Sequence, residues 1–174
     1  MKPTLYGTFG YLGAGKTYFS RRFSEKEKLV HLSGDMIRTS LFKKPQYTKE
    51  ENEMVFGLMD VLAADILSKG LSVIYDVCLN KKEHRERLRQ IARENGASFK
   101  TVWIHTDESI ALARLNDPAL TSTPERQYIT FMSDPLKIFD RVKNEMERPE
   151  QDVIMIEGTK GFTQQYADFL EQNT

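Results

Sequence analysis

The stretch Gly10-Tyr11-Leu12-Gly13-Ala14-Gly15-Lys16-Thr17 constrains this chain more than any other. It fits G-x-x-x-x-G-K-[ST], the Walker A pattern. A loop of this kind turns successive backbone N–H groups inward around phosphate oxygens, in conformations that a Cβ disfavours. Glycines at 10, 13 and 15 remove that penalty. Lys16 is then spaced to reach the β- and γ-phosphates, and the Thr17 hydroxyl to ligate Mg²⁺. A helix starting near Gly15 offers free N–H groups and the positive end of its dipole to the same anion. Ala14 and Tyr18 complete the predicted nucleotide-binding set. The context also fits. Thr4-Leu5-Tyr6-Gly7-Thr8-Phe9 reads as a strand, and residues 16–23 read as a helix with Phe19 and Phe23 on one face.

A length of 174 residues suits a single domain, 1–174, with one sizeable core. Apolar residues at 40% and charged residues at 29% are ordinary for a soluble globular protein. The formal net charge of zero disfavours a chain built mainly to hold a nucleic-acid backbone, although a nucleic-acid end is still an allowed partner. The single cysteine, Cys78, has no internal disulfide partner, so a reducing cytoplasm is expected. No apolar run reaches the roughly 20 residues of a membrane span, and no secretory leader is expected ahead of the first strand. The sequence leaves the oligomeric state open.

The remaining elements alternate. Residues 29–32 read as a second strand, ending in Ser33-Gly34-Asp35, with a helix starting at Met36-Ile37-Arg38 and broken by Lys43-Lys44-Pro45. Residues 48–68 are helical in pattern, with Thr48 and Glu51 resembling a capping box. Residues 72–75 form a third strand ending at Asp76, 81–95 a charged helix, 98–105 a fourth strand and 107–115 another helix. Residues 116–132 lack periodicity and read as a lid. Ser133-Asp134-Pro135 opens a helix running to about Arg148, residues 153–156 make a fifth strand and 162–172 a closing helix. This order implies a doubly covered parallel sheet, in which ligands bind beyond the carboxyl ends of the strands. The phosphate loop, Asp35 and Asp76 are therefore expected to come together.

Each candidate has an ordinary alternative. Asp35 suits a general base that takes a proton from an acceptor hydroxyl, but Asp is also a favoured helix N-cap. Arg38 would hold an anionic group on the acceptor. Asp76 suits a metal-holding carboxylate or a plain strand end. Arg85 stands out from the charged helix at 81–95, most of which reads as a solvated face. Arg114 and Arg126 are the arginines available to a lid. His31, His84 and His105 show no metal-ligand spacing, so His31 and His105 read as packing residues. Cys78 and Trp103 read as core.

Taken together, Gly10 to Thr17, Ser33-Gly34-Asp35-Met36-Ile37-Arg38, and the block from Gly70 through Asp76 to Asn80 with Arg85 resemble the P-loop kinase family that includes polynucleotide 5′-hydroxyl kinases and zeta toxins. The resemblance covers residues 4 to about 115 and weakens beyond. It implies a P-loop NTPase three-layer sandwich, a five-stranded parallel sheet with helices on both faces and a lid. It also implies ATP with Mg²⁺ and transfer of the γ-phosphate to a hydroxyl. Carried onto this chain, Lys16, Asp35 and Arg126 would be catalytic, with Asp35 the base. Thr17 and Asp76 would hold the metal, Arg114 would contact the nucleotide, and Arg38, Asn80 and Arg85 would contact the acceptor or brace its loop. Residues 157–159 would lie near the adenine. Acceptors in the family range from polynucleotide 5′-ends through nucleotides and nucleosides to phosphorylated metabolites. Because Arg114 and Arg126 are well separated, a second reading stands beside the kinase: an ATP-binding regulatory protein with little turnover that acts through a partner.

Overall fold

Alternation along the strands decides which side chains meet which helix layer. The computed structural model describes residues 2–121, 123, 130, 132 and 134–173. Strands β1 (Thr4–Phe9), β2 (Val30–Ser33), β3 (Val73–Asp76), β4 (Ser98–His105) and β5 (Val153–Glu157) form one sheet in the order β2-β3-β1-β4-β5. All four pairings are parallel. The helices are α1 (Lys16–Glu27), α2 (Gly34–Leu41), α3 (Lys49–Ser68), α4 (Lys82–Glu94), α5 (Glu108–Leu115), α6 (Pro118–Thr121), α7 (Pro135–Asn144) and α8 (Phe162–Gln172).

Successive strand residues point to opposite faces, and the core divides accordingly. On one face, Leu5, Val73, Tyr75 and Phe99 pack with Val55, Met59, Ala63 and Leu67 of α3 and with Leu88 and Ala92 of α4. On the other, Ile74, Val102, Ile104, Ile154 and Ile156 pack with Phe19 and Phe23 of α1 and Phe169 of α8. This is the three-layer arrangement expected from the sequence. None of the described helices is long and apolar enough to cross a membrane.

Element boundaries moved where a local partner intervened. α2 starts at Gly34, ahead of Met36, because the Ser33 hydroxyl accepts from the Met36 N–H at 3.3 Å and caps the helix. α1 continues past Phe23 to Glu27 and stops where Lys28 turns left-handed at φ 55. α7 ends at Asn144, well before Arg148, because the chain leaves the helix to donate from Glu147 N to the Asn80 carbonyl at 2.8 Å. The Thr48 cap is as read: its hydroxyl accepts from Glu51 N at 3.2 Å. Of the stretch read as a lid, α6 and a few further residues are described; the others lie outside the described residues.

Phe23 is fully buried, with its ring centroid 5.1 Å from Phe19, 4.5 Å from Phe169 and 5.2 Å from Tyr6. These neighbours come from three elements and cannot all collapse into a void. Phe23→Ala is expected to cost about 3–5 kcal/mol, read as a lower urea midpoint with an unchanged m-value.

Candidate active site

The phosphate loop sits where β1 ends and α1 begins. Gly10, Gly13 and Gly15 all have positive φ, at 144°, 83° and 108°. At Gly13 the requirement is doubled, since a Cβ there would fall 2.4 Å from the Ala111 carbonyl oxygen. A second close approach seats the loop from the far side. A Cβ on Gly158, just after β5, would lie 2.1 Å from Thr106 Oγ1 and 2.4 Å from the Ala14 carbonyl oxygen. Thr106 Oγ1 in turn donates to that Ala14 carbonyl at 2.9 Å. Lys16 Nζ donates across the loop to the carbonyls of Gly10 at 3.1 Å and Tyr11 at 2.7 Å.

Asp35 and Asp76 enter the same cavity as the loop. Ser33 caps α2, so the Asp35 carboxylate is not spent as an N-cap. It instead accepts a hydrogen bond from the Tyr47 hydroxyl at 3.2 Å. Burial, and then the negative charge of Asp76, raise the Asp35 carboxyl above the usual range; Tyr47, Arg38 and Lys16 pull the other way without cancelling them. Asp76 is buried at the end of β3, opposite Ser33 of β2. His31 Nε2 donates to Asp76 Oδ2 at 2.9 Å, so His31 braces a carboxylate rather than serving as plain packing.

The other predicted residues divide. Arg38 is buried and lines the cavity, but its terminal nitrogens are committed to Glu51 at 3.1 Å and Asn52 at 2.5 Å, with its guanidinium over the Tyr47 ring. Its Nε is buried without a hydrogen-bond partner among the described residues. Asn80 lines the cavity, and its carbonyl accepts from Glu147 N. Arg85 does not line the cavity but is buried behind it, donating to the carbonyls of Leu79 at 2.8 Å and Asn80 at 3.4 Å and lying over the Phe9 ring. Its place in the first turn of α4 turns it inward under the loop after β3. Arg114 belongs to α5 and is docked on the phosphate loop, donating to Gly13, Ala14 and Gly158 carbonyls. Tyr18 lines the cavity, and its hydroxyl accepts from Phe162 N at 3.3 Å. Arg126 lies outside the described residues.

The cavity measures about 690 Å³ and extends from the phosphate loop to walls contributed by α3, α4 and α7. Sequence reading did not find Tyr47, Phe56, Arg87 or Arg141 there. Tyr47 has no local signal: it follows a proline-broken segment and takes an unusual φ of 54°. His31 did have one. Alternation places His31 and Ser33 on one face of β2, level with Ile74 and Asp76, but only once β2 is known to lie beside β3. Cys78 Sγ donates to Gly10 O at 3.2 Å, and burial pushes its thiol up, away from nucleophilic use.

The donor set is compatible with magnesium. The Thr17 hydroxyl and the Asp76 carboxylate are hard oxygen donors lining one cavity beside the phosphate loop. Mg²⁺ characteristically takes one or two protein oxygens together with substrate phosphates and water. The described residues offer no group of three or more metal-ligating side chains.

Comparison with known proteins agrees with this geometry. A family model described as an AAA domain, AAA_33, matches residues 5–130. No curated protein sequence matches the chain. Among solved structures, a gluconokinase from Sinorhizobium meliloti 1021 aligns with a TM-score of 0.67 at 15% identity, covering 98% of this chain and 91% of that one. The Mycobacterium tuberculosis APS kinase, solved with AMPPNP and APS, aligns with a TM-score of 0.66 at 16% identity over 98% and 99%. A chain of the Pnkp1/Rnl/Hen1 RNA repair complex aligns at 0.61 and 17% over 83% of this chain and 46% of that one. These likenesses are of fold.

The inward turn of Arg85 separates two roles experimentally. Arg85→Gln removes charge-assisted bonds to buried carbonyls and is expected to cost about 2–3 kcal/mol of stability, measured by chemical denaturation. Were Arg85 instead an acceptor contact, the variant would keep its stability and lose acceptor affinity.

Proposed function

The chain belongs to the AAA domain family AAA_33 and has the fold of P-loop kinases, and on that premise we propose that it is an ATP-dependent kinase that transfers the γ-phosphate of MgATP to a hydroxyl. The observation that carries the reading is Asp35. It is a carboxylate beside the phosphate loop, relieved of capping by Ser33, held by Tyr47 and shifted toward a proton-accepting range by burial and Asp76. Structural neighbours described as a gluconokinase and as an APS kinase solved with AMPPNP and APS support a small-molecule acceptor.

In this reading the backbone of residues 10–17 cradles the phosphates, and Lys16 and Arg114 supply positive charge around them. Arg126 is assigned to the same task on the lid. Tyr18 and residues 157–159 flank the nucleoside. Asp35 orients the acceptor hydroxyl and takes its proton as the oxygen forms a bond to the γ-phosphorus; the bond to the β,γ-bridging oxygen breaks, and ADP leaves. Thr17 and Asp76 would hold Mg²⁺, which would neutralise charge on the phosphate oxygens. His31 keeps Asp76 in position. Asn80 shapes the acceptor side, with Arg85 supporting it from below.

Asp35→Asn is expected to lower turnover at least about a hundredfold, the usual scale of a general base, while AMPPNP still binds. Phosphate transfer from γ-labelled ATP to a mixed acceptor panel reads this, with Lys16→Ala as the blank. Near-normal turnover would rule Asp35 out as the base. No labelled acceptor, together with partner binding that differs between ATP and ADP, would favour the regulatory alternative.

The same substitution has a stability signature. Because the Asp35 carboxyl titrates higher in the folded chain than in the unfolded one, its ionisation opposes folding at neutral pH. Asp35→Asn is therefore expected to raise the melting temperature at neutral pH. The advantage should shrink as pH falls through the raised folded value and vanish below the ordinary Asp value of about 4, where the wild-type carboxyl is protonated in both states. Thermal unfolding across that range checks it.

A further inference from the structure

The cavity walls remote from the phosphate loop contain two arginines that no step above uses. Arg87, on α4, presents its Nε 2.8 Å from Asp60 Oδ2, and its Nη2 3.5 Å from Asp60 Oδ1. Asp60, on α3, is itself fixed by the hydroxyl of Tyr75, which donates to Oδ1 at 2.8 Å. Tyr75 is a fully buried residue of β3. A tether thus runs from the sheet through α3 to a guanidinium on α4. It holds Arg87 through that ion pair and the one long Nη2 bond, with the guanidinium 5.8 Å from the Phe56 ring centroid; among the described residues, Nε is buried without a hydrogen-bond partner and Nη1 makes no hydrogen bond. Arg141, on α7, lines the same cavity and gives one nitrogen, Nη1, to the Tyr47 carbonyl at 3.2 Å. Its partner is neutral and it makes no ion pair among the described residues, so Arg141 adds charge, whereas Arg87 adds donors.

The remaining cations of these walls are otherwise engaged. Arg38 is spent on Glu51 and Asn52. Lys49 and Lys81 face Glu53 and Glu145 at 3.7 and 3.5 Å. Burial, and then the charge of Arg87, lower the pKa of His84, which keeps it neutral at pH 7. We infer that Arg87 and Arg141 form a receptor for a compact anionic group, a phosphate, sulfate or carboxylate, carried by a small-molecule acceptor, and that Asp60 and Tyr75 are positioning residues that preset Arg87 for it. The fork of an arginine matches such groups through two parallel bonds. Preordering it through a buried tether reduces the side-chain entropy lost on binding. Because Lys49 and Lys81 are matched by Glu53 and Glu145, and Glu83 adds a further carboxylate, the described walls offer a compact anion two arginines but give a polynucleotide no continuous basic track. The word acceptor rests on the kinase reading; the anion receptor does not.

Two measurements separate these. First, inorganic phosphate is titrated by calorimetry into the full chain saturated with Mg²⁺ and AMPPNP, so that the phosphate loop is already filled. Binding is expected, weakened about tenfold by Arg87→Gln and by Arg141→Gln, the scale of one lost charge-assisted contact. Asp60→Asn should weaken it in the same direction, Arg87→Lys should keep part of it, and Lys82→Gln, outside the cavity, should leave it unchanged. Melting temperatures verify that each variant is folded. Second, phosphate transfer is compared between anionic acceptors (a sugar phosphate, a sugar acid, a nucleoside monophosphate), their neutral counterparts and a 5′-hydroxyl oligonucleotide. Arg87→Gln is expected to raise the KM of the favoured anionic acceptor about tenfold, with kcat and AMPPNP affinity nearly constant. The inference is overturned if wild-type protein binds no phosphate, if binding survives both arginine substitutions, or if neutral acceptors or the oligonucleotide are preferred. Arginine-dependent phosphate binding with no labelled acceptor would uphold the receptor and remove the kinase reading instead.

Discussion

The close packing of backbone against backbone around the phosphate loop is the constraint on which the site depends. Gly13 lies against the Ala111 carbonyl, and Gly158 against Thr106 and the Ala14 carbonyl. These approaches clamp a loop whose own conformation is costly, using segments that follow β4 and β5. Arg114 adds a third fastening by donating to carbonyls on both sides of the contact. The loop is therefore held in shape by the far half of the sheet, while the neighbouring carboxylates come from the near half, at the ends of β2 and β3. Register sets Ser33 level with Asp76 within the near half, and β1, paired in parallel with β3 on one side and β4 on the other, joins that half to the one that holds the loop.

At that edge two carboxylates share a partly dry cavity, and their partners differ in kind. Asp76 has His31 as a donor from a neighbouring strand, while Asp35 has a tyrosine hydroxyl from a loop. The first arrangement fixes the Asp76 carboxylate in place. The second leaves Asp35 to burial and then to the charge of Asp76, which together raise its affinity for a proton. Two identical side chains are thus given different surroundings within one cavity.

Much of this was legible in the chain. The loop, the alternation of strands and helices, and the positions of Asp35 and Asp76 all follow from local pattern, and β4 and α8 have the bounds that pattern predicts. What was not legible is what depends on strand order or long-range packing. His31 becomes meaningful only once β2 is known to pair with β3. Arg85 and Arg87 are two residues apart on one charged helix, and only the docking of α4 on the sheet sends the former under the loop and the latter into the cavity. Helix ends went astray where a distant partner intervened, as at α7, which gives way to the contact of Glu147 with Asn80.

Tyr47 joins elements that might have been independent. Its hydroxyl holds the Asp35 carboxylate, its ring lies under Arg38, and its carbonyl receives Arg141 from α7, all from a left-handed backbone position. In the kinase reading proposed above, divergence toward a new acceptor is consequently not free. There, a change that remodels the α7 wall displaces the residue that holds the proposed base, so specificity and reactivity drift together. Descendants that alter what they recognise must also repair how they react, and that coupling narrows the routes by which this cavity can be repurposed.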